Sequence, residues 1–201
     1  MTSRADHEKD PAYGLKLRLG SGRRLKLGER LGRGGEGSVY AAANRRNHAV
    51  KLYKAPDKPQ LANKIAAMVD AGLAQQSPFA AFPVDVVHTQ DGAFAGFLMK
   101  AVRDRRPLHD LYAPGARKQH FPDIDYRFLA RTATNIARAV ASIHHTGCVI
   151  GDINPSGMLV ADDATVALVD ADSFQFRHGG QQFLCAVGVP DYTPPELQGH
   201  S

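Results

Sequence analysis

The sequence predicts an α+β fold in two parts, a β-rich first half carrying one helix and a mainly helical second half. Three observations lead there. Apolar residues alternate around glycine-rich or Asp-Gly turns between Leu17 and Val102. One amphipathic stripe, Leu61, Ile65, Met68 and Val69, interrupts them and stops at Gly72. A long amphipathic stretch between Asp125 and Gly147 then precedes two short hairpins.

The bulk numbers set the class. The chain has 201 residues, enough for one two-lobed domain, and 43% of them are apolar, an ordinary fraction for a globular protein. No apolar run approaches the roughly 20 residues that span a membrane, so no membrane partner is expected. The opening decad, Met1 to Asp10, is polar and mixed in charge, without the apolar core of a secretory signal. Cys148 and Cys185 are too few for a disulfide framework, so the expectation is a cytoplasmic chain with free thiols. The net charge of +5 gathers at Arg23-Arg24, Arg45-Arg46, Arg103 to Arg106 and Arg117-Lys118. No aromatic residues interleave with these groups, which favours solvated turns over a nucleic-acid surface.

Residues 1–15 read as a flexible terminus. Leu17 to Leu19, Gly20-Ser21-Gly22 and Leu25 to Leu27 read as a hairpin running into Leu31-Gly32-Arg33-Gly34-Gly35-Glu36-Gly37-Ser38-Val39-Tyr40. Glycines at this spacing let the backbone approach phosphate oxygens without a Cβ in the way. A strand, Ser38 to Ala43, follows Gly37 rather than a helix, which argues against a dinucleotide-binding fingerprint. The next strand, His48 to Tyr53, puts Ala49, Lys51 and Tyr53 on one face. The helix after it carries no glutamate; its one carboxylate is Asp70. Pro83 to His88 and Ala93 to Val102 form a hairpin around Asp91-Gly92.

In the second half, Pro107 to Tyr112 reads as a short helix and a loop then runs to Asp125. Leu129, Ala133, Ile136, Ala137, Val140 and Ile143 mark the buried face of the long helix. His144 and His145 complement its C-terminal dipole rather than bind a metal. Val149-Ile150-Gly151-Asp152-Ile153-Asn154-Pro155-Ser156-Gly157 then leads into a tight hairpin, Met158 to Val160 and Val166 to Val169, ending in Asp170. Two carboxylates at the two ends of a hairpin suit phosphoryl transfer, which needs one acid near the acceptor hydroxyl and one on the metal that bridges the phosphates. A second hairpin spans Ser173 to Cys185, and Gly188-Val189-Pro190-Asp191-Tyr192-Thr193-Pro194-Pro195-Glu196 follows.

In this order the motifs resemble the protein kinase superfamily. The wording of Gly34 to Tyr40, Gly96 to Met99, Gly151-Asp152-Ile153-Asn154, Asp170 to Gln175, Val187 to Pro190 and Pro194 to Gly199 is similar to a bacterial Ser/Thr kinase-like subgroup. Members of that subgroup often carry C-terminal helix-hairpin-helix elements and are encoded with a PP2C-type phosphatase and a von Willebrand type A protein. The resemblance implies a bilobal protein-kinase-like α+β fold. Residues 16–99 form its N-lobe, 100–102 a hinge, and 103–201 a partial C-lobe cut short after the activation segment. It implies ATP and Mg²⁺ as cofactors and a protein substrate or signalling partner in bacterial signalling or stress response. Gly32, Gly34, Gly37 and Val39 would cover the phosphates and Lys51 would orient them. Ala49, Met99, Lys100 and Val102 would line the adenine pocket. Asp152 would orient or deprotonate the acceptor hydroxyl, and Asp170 with Asp172 would hold the metal.

The departures from that family bear on activity. The helix glutamate that pairs with the strand lysine is missing, so either Asp70 substitutes or Lys51 is held another way. Gly157 replaces the catalytic-loop asparagine, and Asp172 or Asn154 is expected to supply the lost ligand. Gly151 stands for the arginine before the catalytic aspartate, and Asn154 for the loop lysine. The expected activity is ATP-dependent phosphotransfer, most naturally to protein Ser/Thr; the alternative is a nucleotide-binding pseudokinase or scaffold. A small-molecule kinase fits less well, given Pro194-Pro195-Glu196. The chain stops before the arginine that would pair with Glu196 and before the helix that anchors a kinase C-lobe. The long helix is therefore expected to need a missing segment or a partner to cover it.

Overall fold

The computed structural model describes residues 11–56, 59–185 and 188–197. They fall into two compact units, one built from 11–72 and 83–101, the other from 73–82 and 102–197.

The first unit is a seven-stranded antiparallel sheet and one helix. Its strands are β1 (Leu17–Leu19), β2 (Arg24–Leu25), β3 (Leu27–Arg33), β4 (Gly37–Ala42), β5 (His48–Tyr53), β6 (Pro83–Thr89) and β7 (Phe94–Lys100), in the order β2-β1-β6-β7-β5-β4-β3. The core on one face gathers Leu17, Leu19, Leu25, Tyr40, Val50, Leu52, Val87 and Leu98. Helix α1 (Pro59–Asp70) packs mainly against β6 and buries Lys64, Ile65 and Met68. Full burial of side chains like Ile65 and Met68 contributes about 1.5–3 kcal/mol each. Gly72, at φ 65°, adopts the left-handed turn that stops the chain as the sequence predicts.

Within the terminus expected to be flexible over 1–15, residues 11–14 have regular structure. Pro11–Gly14 form a 3₁₀ turn, and the Tyr13 ring sits edge-on to Tyr40 at 5.6 Å. Burying an aromatic ring on the sheet outweighs the entropy of this short segment. Residues 1–10 lie outside the described residues.

The second unit opens with α2 (Leu73–Gln76), a turn the sequence did not mark. Strands β8 (Arg106–Pro107), β9 (Met158–Val160) and β10 (Val166–Leu168) form a three-stranded sheet in the order β10-β9-β8. Ala80 adds a parallel bridge to Leu168. Helix α3 (Leu108–Tyr112) is followed directly by α4 (Pro114–His120), where the sequence predicted a loop. Pro114 supplies a preset N1 residue, and Arg117, Lys118 and His120 suit the helix C-terminus. Helix α5 (Tyr126–His145) starts at Asp125, whose side chain accepts from the Phe128 N–H at 2.9 Å.

The buried face of α5 differs from the predicted stripe. Thr132, Ala139 and Ile143 are buried, whereas Leu129, Ile136 and Val140 are half-buried and Ala133 and Ala137 exposed. Polar contacts set this rotation: Asn135 donates to the Ala164 carbonyl (2.9 Å), and the Ser142 and Ser77 hydroxyls share a hydrogen bond (3.0 Å). Hydrophobic periodicity cannot weigh such contacts. The last hairpin, β11 (Phe176–His178) and β12 (Gln181–Phe183), turns on Gly179 and Gly180, both at positive φ. No helix among the described residues is long and apolar enough to cross a membrane.

Candidate functional site

In the first unit, strand register collects the expected phosphate-side residues. Val39 pairs with Lys51, Gly32 with Val39, Ala49 with Met99, and His48 with Lys100. Lys100 thus belongs to the sheet, and the Ala101 N–H is spent on the Asn47 carbonyl at 3.0 Å. Val102 follows in the second unit.

The motif glycines divide by what demands them. A Cβ on Gly37 would run into the Leu52 carbonyl, so this glycine is required by the sheet itself. At Gly32 and Gly35 a Cβ would meet nothing within 4 Å, and at Gly34 its nearest neighbour would be 3.9 Å away. None of these three has positive φ. Nothing in the protein's own packing excludes a side chain there, so the free space matches a ligand that comes close to the backbone.

Two lysines organise this loop. Lys54 Nζ donates to the carbonyls of Gly34 (2.7 Å) and Gly35 (3.0 Å), and its backbone N–H donates to the Glu36 carbonyl (2.9 Å). Lys51 has a side chain only 8% exposed; its Nζ lies 3.8 Å from the Glu36 carboxylate and 5.5 Å from the centroid of the Tyr53 ring. The sequence did not single out Glu36 or Lys54. Their only signal is position: Glu36 is the one acid within the glycine loop, and Lys54 follows Lys51 by three residues. Asp70, the expected substitute, is the last residue of α1.

In the second unit the two carboxylate-bearing segments are zipped together. Val149 and Gln175 exchange backbone hydrogen bonds of 2.7 Å in both directions, and the Val169 N–H donates to the Gly157 carbonyl at 2.9 Å. The hairpin between them is set by Asp163, which accepts from the Thr165 hydroxyl (2.6 Å) and N–H (2.9 Å). Those bonds hold the Asp163 carboxyl below the usual carboxylate value.

Asp152 is half-buried, and its Oδ1 is a buried oxygen with no hydrogen-bond partner among the described residues. An unsatisfied carboxylate oxygen in a structured loop is the arrangement expected of a group that waits for a donor from outside the chain. Asp170 is exposed and lies in the left-handed region (φ 56°, ψ 36°), a strained backbone for a non-glycine residue. Its carbonyl accepts from both the N–H (2.9 Å) and the hydroxyl (2.8 Å) of Ser173, which pins the strained turn. Asp172 sits inside that 3₁₀ turn, 5% exposed.

The Asn154 side-chain oxygen, the other expected replacement ligand, is engaged within its own loop. This Oδ1 accepts from the backbone N–H groups of Ser156 and Gly157, at 3.0 Å each, closing an Asx turn that shapes the loop. Gly151 is explained by packing: a Cβ there would crowd the Cys185 Cβ and Sγ and the Ser173 carbonyl, all closer than 3 Å. No arginine fits where Cys185 sits. Gly157 is different, since a Cβ would meet Asn154 at 3.5 Å or more, an ordinary contact.

Toward Mg²⁺, the donor chemistry is mixed. Among the described residues no group of three or more His, Cys, Asp or Glu side chains forms a ready metal cage. The exposed Asp170 carboxylate and the unpartnered Asp152 oxygen are nonetheless hard oxygen donors of the type this ion takes, with substrate phosphates and water completing its shell. Val187, Gln198 and Gly199 from the sequence motifs lie outside the described residues; Glu196 is exposed in a 3₁₀ turn, Pro195–Leu197.

Comparison with known proteins follows the same line. The chain is 37% identical over 185 residues to the protein kinase YegI of Escherichia coli K12, and 37% identical over 183 residues to that of strain O157:H7. These alignments cover 92% and 90% of this chain but 28% of either relative, so the chain spans under a third of the curated relatives it matches. A 78-residue stretch, 39% of the chain and 6% of the relative, is 27% identical to a mouse PAS domain-containing serine/threonine-protein kinase. Among solved structures, the ROP18 kinase domain in complex with AMP-PNP and sucrose superposes with a TM-score of 0.64 at 20% identity, over 92% of this chain and 61% of that one. That likeness shows the protein-kinase-like fold. No protein-family profile matches the chain.

Proposed function

We propose that the chain, similar over most of its length to a bacterial protein kinase and built on a protein-kinase-like fold, binds ATP and transfers the γ-phosphate to a Ser or Thr hydroxyl of a protein. The observation that carries this reading is the Asp152 oxygen, buried and without a hydrogen-bond partner among the described residues. A hydroxyl donating to that oxygen would be oriented, and its proton would have an acceptor as the phosphoryl group arrives. Gly32, Gly34 and Gly37 leave backbone free to approach phosphates, and Lys51 supplies the positive charge. Asp170 and Asp172 would hold Mg²⁺, which when bound would neutralise charge on the phosphates. Ala49, Met99 and Lys100 would serve the adenine side from the first unit, and Val102 is proposed for the same role from its sequence position. Charge stabilisation and positioning are the main work in this chemistry, and the residues present supply both. The setting we infer is cytoplasmic signalling or stress response, with a protein substrate and with a PP2C-type phosphatase and a von Willebrand type A protein as companions.

A second reading, a nucleotide-binding pseudokinase or scaffold, is favoured by one specific finding. Gly157 offers no ligand and Asn154 cannot replace it, because its side-chain oxygen is already used twice. A γ-phosphate transfer assay on generic protein substrates, wild type against Asp152→Ala, separates the two. Transfer by wild type and its loss in the variant supports the kinase; nucleotide binding without transfer in either supports the scaffold.

A further inference from the structure

The phosphate-site lysine of this protein is held from an unusual direction. The helix of the first unit has no glutamate, and within the glycine loop there is one acid, Glu36. Its carboxylate lies 3.8 Å from Lys51 Nζ, with side chains 54% and 8% exposed. At that separation the interaction is Coulombic rather than a hydrogen bond. The ammonium is nearly buried, so a nearby negative charge matters to it more than it would at the surface. The Tyr53 ring, 5.5 Å from the same ammonium, bounds it on a second side.

The backbone at Glu36 is fixed as well. Lys54 donates its N–H to the Glu36 carbonyl and its ammonium to the carbonyls of Gly34 and Gly35. Gly34 further donates to the Gly37 carbonyl at 2.8 Å, closing the turn. With the main chain tied on both sides, the Glu36 side chain has a short reach, and Lys51 lies within it. Tyr53, Val39 and Gly37 sit in register around the same point.

We propose that Glu36, carried on the glycine loop, is the positioning residue of Lys51, and that this loop carboxylate does what a helix carboxylate does in other proteins of this fold. The inference rests on the reading of Lys51 as a phosphate-binding lysine. It makes the loop and the lysine a single charged unit: ordering the loop orders the lysine.

The test is MgATP binding to the full chain, measured by calorimetry, for wild type, Lys51→Ala, Glu36→Gln, Glu36→Asp and Glu36→Lys. Glu36→Gln keeps size and removes charge, and should weaken MgATP binding about fivefold, the scale of one partly exposed ion pair. Glu36→Asp should fall between the two, and Glu36→Lys should be weakest. Adenosine, which has no phosphates, should bind all the Glu36 variants as it binds wild type. Because Glu36 is half exposed, raising NaCl from about 0.05 to 0.5 M should shrink the difference between wild type and Glu36→Gln. A merely structural role would not follow charge, spare adenosine or respond to salt. If wild type binds no MgATP, the nucleotide reading and this inference both fall. If wild type binds and Lys51→Ala does not, while Glu36→Gln matches wild type or binds more tightly, only the Glu36 assignment is overturned.

Discussion

Gly151 and Cys185 occupy each other's space: the Cys185 side chain fills the position that a Cβ on Gly151 would need, beside the Ser173 carbonyl. The residue next to the proposed catalytic Asp152 is therefore chosen by a residue 34 positions later in the chain. Gly151→Ala should destabilise the second unit by about 1–3 kcal/mol, the usual cost of overpacking, and lower transfer by displacing Asp152. Cys185→Gly in the same chain should restore much of both. Chemical denaturation of the single and double variants measures the coupling, and additive losses would contradict this contact.

Removing the Asp152 carboxylate should separate activity from stability. Asp152→Asn keeps the shape and is expected to lower transfer by about 10²–10⁴-fold if the group acts as a general base. The melting temperature should hold or rise, because the wild-type oxygen is buried without a partner, a condition that costs about 1–3 kcal/mol. A variant that loses both activity and several degrees of stability would point to a structural role instead.

Gly157→Asn should be accepted by the fold, since a Cβ there makes only ordinary contacts with Asn154 and the backbone is not in the left-handed region. It restores an oxygen ligand at the loop. The expected result is tighter Mg²⁺ dependence and faster transfer, read from titrations of Mg²⁺ at fixed ATP. Asp172→Ala should instead lower the melting temperature, because Asp172 is buried within its turn. Unchanged metal dependence in that variant would remove Asp172 from the ligand set.

Lys54→Met should loosen the glycine loop without touching Lys51, the lysine proposed to bind the phosphates. It deletes two hydrogen bonds to exposed carbonyls, at Gly34 and Gly35. Net contributions of about 0.5–1.5 kcal/mol for such bonds translate to a weakening of MgATP binding of about threefold to tenfold. Hydrogen exchange at residues 34–37 should rise in parallel.

Asp163 gives a pH signature that does not involve catalysis. Bonds from Thr165 lower its carboxyl in the folded protein. Its contribution to folding is therefore present above the ordinary carboxylate value and fades as pH falls through the lowered one. Thr165→Val should move the Asp163 midpoint up toward that ordinary value in an NMR titration, while the midpoint of Asp91, held down by a separate bond from Thr89, stays where it is.

Much of this protein was legible in its residues. Alternation around turn residues marked the β1–β2, β3–β4 and β6–β7 hairpins, because a pleated strand imposes a period of two on the chain itself; the pairings of β1 with β6 and of β5 with β7 join strands distant in sequence and were not marked. Asp125 and Gly147 marked the limits of α5 for an equally local reason: caps satisfy the unpaired groups at helix ends. Lys51, Asp152 and Asp170 stood out through motif order and spacing. Other features depended on residues far apart in sequence. The face of α5 that is buried was decided by Asn135, Ser77 and Ser142, whose hydrogen bonds no periodicity records. The use of Asn154 as a turn-former followed from the path of Ser156 and Gly157. The sequence alone determined that a glycine loop precedes a strand lysine and that two aspartates flank a hairpin, since those are facts of order and spacing. Only the tertiary structure decided that Glu36 faces Lys51, that Cys185 excludes any side chain at Gly151, and that one Asp152 oxygen has no donor among the described residues. Each of those depends on distances across a folded surface, which a linear pattern does not contain.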